Sequence, residues 1–412
     1  MKSMLTRLSG LLSLVALAAC SGQTGSSLPA ANSPLVTQNV FNSCGGPAAA
    51  GEAQCLALVR TDVGGGRNYG RITLQGKPGG GGGPSGYNPP DLQSAYKLPS
   101  STAGSGQTIA IVDAYDDPNA ESDLGVYRSQ FGIAACTTGN GCFRKINQSG
   151  GTSYPRSNGG WAQEISLDLD MVSAICPNCH ILLVEASSNS FANLGAAVNE
   201  AASLGANAIS NSYGGSESSG EASNDVYYNH PGHAITVSSG DNGYGVEYPA
   251  SSQYVTAVGG TSLSKASGTR GWNETVWSGA GSGCSAYESQ PAWQSSVGAL
   301  SAACAKRAVA DVSAVADPNT GVSVYDSFSY QGVSGWLVFG GTSVASPIIA
   351  SVYGLAGNST SVNYGSYPYS HASSLFDVTS GSNGSCGNVL CTAQSGWDGP
   401  TGLGTPDGSG GF

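Results

Sequence analysis

The run Gly340-Gly341-Thr342-Ser343-Val344-Ala345-Ser346-Pro347 contains the serine of this 412-residue chain best suited to chemistry. An apolar stretch, Trp336 to Phe339, precedes it, and small apolar residues at helical spacing follow. Ser343 therefore falls at a helix start. The two glycines let backbone and substrate approach closely, and the positive end of the helix favours negative charge developing beside the hydroxyl. A serine at a helix start is also an ordinary cap, and a base is needed to make it a nucleophile. The chain has four histidines, His180, His230, His233 and His371. His180 opens an apolar strand and His371 falls in a late loop. The sequence around none of the four singles it out as that base.

Carboxylates offer another base. Trp161-Ala162-Gln163-Glu164-Ile165-Ser166-Leu167-Asp168 has a helical pattern, and the four-residue spacing puts Glu164 and Asp168 on one helix face. Two solvated surface acids would be the ordinary reading. Here the neighbours Ile165, Leu167, Met171 and Val172 are apolar, and two acids in such a helix are costly unless they interact. Like charges this close resist double ionisation. One shared proton would leave Asp168 protonated and orienting Glu164, which accepts from Ser343. A third acid, Asp241, lies in Val237-Ser238-Ser239-Gly240-Asp241-Asn242-Gly243. Alone this is an unremarkable polar turn. Ionised, Asp241 would repel an oxyanion; protonated, it could donate to one, which predicts work in acid.

In this order, Glu-x-x-x-Asp, Ser-Gly-Asp and Gly-Thr-Ser-x-x-x-Pro resemble the sedolisin family of serine-carboxyl peptidases, over roughly residues 87 to 407. Tyr87-Asn88-Pro89-Pro90-Asp91-Leu92 is similar to the start of that family's mature domain, and Asn211-Ser212-Tyr213-Gly214 to the strand lining its cleft. The resemblance implies Ser343 as nucleophile, Glu164 as base, Asp168 as its partner and Asp241 as oxyanion donor. Asp113 falls where some members carry an additional acid. The implied fold is α/β and subtilisin-like, a mostly parallel central sheet with helices on both faces. A calcium (Ca2+) site is also implied, with carboxylates from Asp377 and Asp398 and carbonyls from Val378, Gln394 and Gly396. The pattern usually has glycine where Gln394 stands, but a carbonyl ligand does not require one; two ordinary turn acids are the alternative. The family's large N-terminal prodomain has no counterpart in the roughly sixty Gly-rich residues between Cys20 and Tyr87. An acid-acting endopeptidase on peptide or protein substrates is the favoured reading. A non-catalytic binding protein on the same fold and a tripeptidyl exopeptidase are the alternatives.

The elements that must position these groups are legible as alternating patterns. Short apolar runs at Thr108 to Val112, Ile181 to Val184, Ala208 to Ser210, Ala234 to Ser238 and Val255 to Val258 predict buried strands. Helical patterns fall between them, at about 120–131, 163–174 and 191–204. Such alternation argues for a parallel sheet covered on both faces.

Bulk properties narrow the class. A formal charge of −11 with only 15 Lys and Arg leaves no basic stripe for nucleic acid. Lys2 and Arg7, the apolar run Leu11 to Ala19 and then Cys20 resemble a lipoprotein-type signal over residues 1–20, with ordinary signal cleavage as the alternative. Residues 21–86 read as tether, short Cys-stapled module and Gly-rich linker, and residues 87–412 as the peptidase domain. Membrane contact is expected only through a lipid on Cys20, and a monomer is expected. Apart from Cys20, ten cysteines form close pairs, Cys44/Cys55, Cys136/Cys142, Cys176/Cys179, Cys284/Cys304 and Cys386/Cys391. An even set at short range suits disulfides in an oxidising compartment, and hence export.

Overall fold

A computed structural model describes residues 39–64 and 84–412. The signal segment, Cys20 and most of the tether and linker lie outside the described residues. The central sheet has strand order β12-β11-β9-β7-β4-β6-β5. Its members are β4 (Thr108–Ala114), β5 (Phe143–Asn147), β6 (His180–Ala186), β7 (Ala208–Asn211), β9 (Ala234–Ser238), β11 (Thr256–Lys265) and β12 (Trp272–Val276). All neighbours in this order pair in parallel except β11 with β12. A further strand, β15 (Val312–Val315), runs parallel to β11. The run predicted from Val255 extends to Lys265 because its second half gains β12 and β15 as partners.

Period-two alternation explains the two cores. Ile109 and Ile111 of β4 join the cluster formed with helices α3 (Gly159–Ile175) and α7 (Thr342–Ala356). Ala110 and Val112 point the other way, to α4 (Phe191–Ser203), with Leu194, Ala197 and Val198. A strand apolar on both faces must be covered on both, as the continuous apolar runs predicted.

α3 is buried from Gly160 to Ile175. It starts earlier than its apolar pattern because Asn158 caps it, its Oδ1 accepting from the Gly160 and Trp161 amides at 3.0 and 3.2 Å. α2 (Ala120–Gln130) packs beside it, and α1 (Pro89–Ala95) is capped by Asn88.

A second, antiparallel sheet has the order β1-β3-β17-β16, from β1 (Val40–Asn42), β3 (Leu58–Gly64), β16 (Val322–Tyr330) and β17 (Val333–Gly340). β17 delivers the chain to α7. A small sheet joins β2 (Gln54–Cys55), β8 (Tyr213–Ser216) and β10 (Glu247–Tyr248). The Cys-stapled stretch is thus continuous with the body that carries the peptidase motifs. β13 (Gly283–Ser289) pairs with β14 (Lys306–Val309), and the short helices α5 (Ala292–Ser295) and α6 (Gly298–Ala303) lie between them. All five cysteine pairs are disulfides in the expected combinations. Among the described residues, no helix is long and apolar enough to cross a membrane.

Candidate active site

Ser343 occupies the first turn of α7, fully buried, and its hydroxyl donates to the Ser212 carbonyl at 3.2 Å. The proline four residues on has a local purpose. Pro347 has no N–H to bond the Ser343 carbonyl, and that carbonyl faces the Ser212 hydroxyl at 3.4 Å. The stronger bond of the Ser212 hydroxyl goes to Asp168 Oδ1, at 2.8 Å. Ser212 thereby links the nucleophile's helix to α3.

Glu164 and Asp168 lie on the face of α3 turned toward α7, both completely buried. Neither Glu164 oxygen makes a hydrogen bond of ordinary length, and Asp168 Oδ2 is likewise unpartnered. The Ser343 hydroxyl, bonded to the Ser212 carbonyl, also favours the charged form of Glu164, against the burial that raises its pKa. Asp113 sits at the C-terminal end of β4, buried, with both oxygens unpartnered. Burial pushes all three carboxyls well above the usual carboxylate range. The charge of Asp113 pushes Glu164 and Asp168 further in the same direction, and Glu164 does the same to Asp168. Such a cluster retains protons where isolated acids would have lost them.

Asp241 follows β9 across Gly240, whose φ of 117° favours glycine. Its Oδ1 accepts from both the amide and the hydroxyl of Thr342, each at 2.8 Å. Oδ2 is buried and unpartnered. Burial raises the Asp241 pKa to about 8, against the two Thr342 bonds that lower it. The Thr342 bonds occupy Oδ1, so a proton on this acid would sit on Oδ2. Gly341 supplies the remaining space, with φ 96°. A Cβ there would fall on the Leu56 carbonyl oxygen and 2.6 Å from Asp241 Oδ2.

Ser343, Glu164, Asp168, Asp113 and Asp241 thus converge from four stretches of chain. The histidines stay apart: His230 bonds Asn199, His233 bonds the Ala206 carbonyl, His371 stacks on Tyr367, and His180 is exposed. Ser212 and Thr342 were visible in the motifs, but nothing in their types assigned their bonds. The stretch Gln54 to Leu58, which runs past Ser343, was not foreseen; the Cys44/Cys55 spacing was its only signal.

The expected calcium ligands lie together near the C-terminus. Asp377 Oδ2 accepts from the Gly396 amide at 2.9 Å, and Asp398 Oδ2 from the Gln394 amide at 3.2 Å. Burial raises the pKa of Asp398 to about 7, and the charge of Asp377 acts in the same direction. Among the described residues no hydrogen bond reaches the carbonyls of Val378, Gln394 or Gly396. Two carboxylates in one field beside free carbonyls are a donor set that fits a hard cation.

The model of the subtilase family matches residues 133–364, more than half the chain. The chain is 29% identical over 367 residues to sedolisin of Pseudomonas sp. (strain 101), covering 78% of this chain and 60% of that one. It is 30% identical over 363 residues to kumamolisin of Bacillus sp. (strain MN-32), covering 79% and 63%. It therefore spans about three fifths of the length of the curated relatives it matches. Among solved structures it is similar to Pseudomonas sedolisin, a serine-carboxyl proteinase complexed with pseudo-iodotyrostatin. That match has a TM-score of 0.65 and 29% identity, covering 79% of this chain and 96% of that one.

Proposed function

The chain belongs to the subtilase family, among its sedolisin-type members, and on that premise we propose that it is an acid-acting serine-carboxyl endopeptidase. The observation that carries the reading is the convergence of a buried serine at a helix start, a buried glutamate–aspartate pair and a buried Asp241 whose Oδ2 is unpartnered, with no histidine among them. Ser343 Oγ attacks the peptide carbonyl while Glu164 takes its proton. Asp168, held by Ser212, keeps Glu164 oriented through a shared proton. The oxyanion is stabilised by the proton on Asp241 Oδ2 and by the Ser343 amide at the start of α7. Glu164 then protonates the leaving amine, and water hydrolyses the acyl-enzyme on Ser343.

An extended peptide would pair with β8 by taking the place of β2, since β10 holds the other edge. Export, with a lipid on Cys20 or as a free secreted protein, is part of the proposal; five short-range disulfides support an oxidising compartment. We also propose calcium on Asp377, Val378, Gln394, Gly396 and Asp398. It would neutralise two neighbouring carboxylates and tie their loops together, outside the chemical steps.

The test is hydrolysis of denatured casein from pH 3 to 8 by the wild type, Ser343→Ala and Glu164→Gln. Acid-optimal hydrolysis lost in both variants is expected; hydrolysis that survives Glu164→Gln unchanged would remove Glu164 as the base.

A further inference from the structure

The helix that carries the base has a second buried polar stripe, which the chemistry above does not use. Gln163, Ser166, Asp170 and Ser173 recur at i, i+3, i+7 and i+10 along α3, turned away from the face of Glu164 and Asp168, and all four are buried. The stripe meets α2 and β16. Ser173 Oγ accepts from Arg128 Nη1 at 3.0 Å, and the Ser166 hydroxyl points at Asp117 Oδ2 at 3.5 Å. Asp170 Oδ2 accepts from the Tyr325 amide at 2.9 Å. The Gln163 amide faces the Asp326 carboxyl. Yet neither polar atom of Gln163, nor Asp326 Oδ2, has a partner at ordinary hydrogen-bond length, and all three atoms are buried.

β16 links this contact to the nucleophile. It pairs with β17, which ends at Gly340, three residues before Ser343. The ladder is irregular between Asp326 and Tyr330, and aspartates take the amides on either side of Asp326. Asp170 holds Tyr325, Asp123 Oδ2 holds the Ser327 amide at 2.7 Å, and Asp326 Oδ1 holds the Phe328 amide at 3.0 Å. Beyond the irregularity the Tyr330 ring lies against the start of α3, where a Cβ on Gly159 would fall 2.5 Å from it. β16 thus meets α3 at Gly159, Gln163 and Asp170, on both sides of Glu164 in the chain. The titratable and charged groups around Asp326 are Asp117 from the loop after β4, Asp123, Tyr127 and Arg128 from α2, Asp170 from α3, and Tyr325 and Tyr330 of its own strand. Beyond Asp117, Lys145 of β5 is engaged with Asp116 and Glu185. Arg128 donates to Ser173 and to the Ala134 and Pro177 carbonyls. Among the described residues no cation forms a salt bridge with Asp117, Asp123, Asp170 or Asp326. Burial raises Asp117 to about 7 and Asp326 to about 8, and the charges of Asp117 and Asp123 push Asp326 the same way.

We propose that Gln163 and Asp326 are positioning residues of the peptidase, tying the strand pair that leads to Ser343 to the turn of α3 that carries Glu164. The inference rests on the serine-carboxyl reading above and deepens it. Both residues are buried and act through Glu164 rather than on substrate. With a proton on Oδ2, Asp326 donates to Gln163 Oε1 and brings no charge into the field of Asp117, Asp123 and Asp170. Once ionised it repels those three acids with no cation to offset the charge, and β16 loosens from α3. The turn carrying Glu164 then shifts relative to Ser343. The seam thus confines a well-placed Ser343–Glu164 pair to acid, independently of the proton on Asp241.

The test is steady-state kinetics on denatured casein from pH 3 to 8, with the full chain as wild type, Asp326→Ala, Asp326→Asn, Gln163→Ala and the double alanine variant. Each single alanine variant should lower kcat about 10-fold at pH 4 with KM within about twofold, because misplaced reacting groups cost rate rather than binding. The double variant should lose no more than either single one, since the same contact is removed in all three. Asp326→Asn keeps an acceptor for the Phe328 amide and a donor for Gln163, so it should restore most of the rate at pH 4. The ratio of its kcat to that of the wild type cancels the loss both share through Asp241. That ratio should climb about twofold between pH 4 and pH 8, where half of the wild-type Asp326 is ionised. Unchanged kcat in both alanine variants, losses that multiply in the double variant, or a ratio flat with pH would overturn the proposal while leaving the peptidase reading standing. If the alanine variants do not fold, the Asp326→Asn ratio decides alone. A different outcome strikes the peptidase reading and takes the proposal with it: the folded wild type does not hydrolyse casein, and its Ser343 stays unlabelled by a fluorophosphonate.

Discussion

Asp241 is fixed by the residue that precedes the nucleophile: its Oδ1 takes both the amide and the hydroxyl of Thr342, each at 2.8 Å. One carboxyl oxygen is thereby committed as an acceptor and the other, buried and unpartnered, is left to carry a proton. The arrangement makes the site's chemistry depend on an acid remaining an acid.

Replacing that acid should therefore separate donor from titration. Asp241→Ala should lower kcat by about 10²- to 10³-fold, the cost of removing one oxyanion donor. In Asp241→Asn the amide oxygen can keep the Thr342 bonds while the NH2 donates at any pH. Activity should then persist above pH 8, where the wild type loses the proton held up to about 8. Steady-state kinetics from pH 3 to 9 checks both.

Ser212 should act as a positioning residue. Its hydroxyl stabilises the Asp168 carboxylate at 2.8 Å and lowers a pKa that burial raises. Ser212→Ala removes that stabilisation, so the cluster binds its proton more tightly. The acid limb of the kcat profile should move to higher pH by about one unit, the size expected for a hydrogen bond to a charged group. An unshifted limb with a uniformly lower rate would show a merely structural contribution.

Stability should fall as pH rises. Burial lifts Asp117 and Glu247 to about 7, and Asp241 and Asp326 to about 8. It lifts Glu185 to about 8 despite the 2.9 Å ion pair with Lys145. In the unfolded chain these groups titrate near 4. The folded state therefore binds more protons between those values, and its advantage is complete below about pH 4. It is lost progressively as pH climbs through 7 and 8. Thermal melts of Ser343→Ala, which prevents self-digestion, should show Tm highest in acid and declining toward pH 8.

Calcium should raise Tm. Saturation at 100 times Kd adds about 2.7 kcal/mol, and a chelator should reverse it. Asp398→Ala should abolish the calcium response. It should also lower the baseline, because Asp398 Oδ1 accepts from the Thr401 amide and hydroxyl at 3.0 and 2.9 Å.

The sequence by itself determined a good deal. Apolar runs bounded by turns located five strands of the central sheet, because a strand covered on both faces admits few polar residues; β5, with exposed positions, gave no such run. The four-residue spacing of Glu164 and Asp168 put them on one helix face by helical geometry alone. The Gly-Thr-Ser-x-x-x-Pro run placed Ser343 at a helix start, and cysteine proximity predicted all five disulfides. Each of these is a local relationship, carried by period or separation along the chain. What only the tertiary structure decided is which distant segments meet. Ser212 between Asp168 and Ser343, Thr342 against Asp241, and the field of Asp113 on Glu164 all depend on how β4, β8, α3 and α7 pack. The bond of the Leu56 amide to the Ser212 carbonyl depends on two strand registers, at β8 and β17. Register is set by side chains packing across separate elements, and neither residue type nor spacing along one segment encodes it.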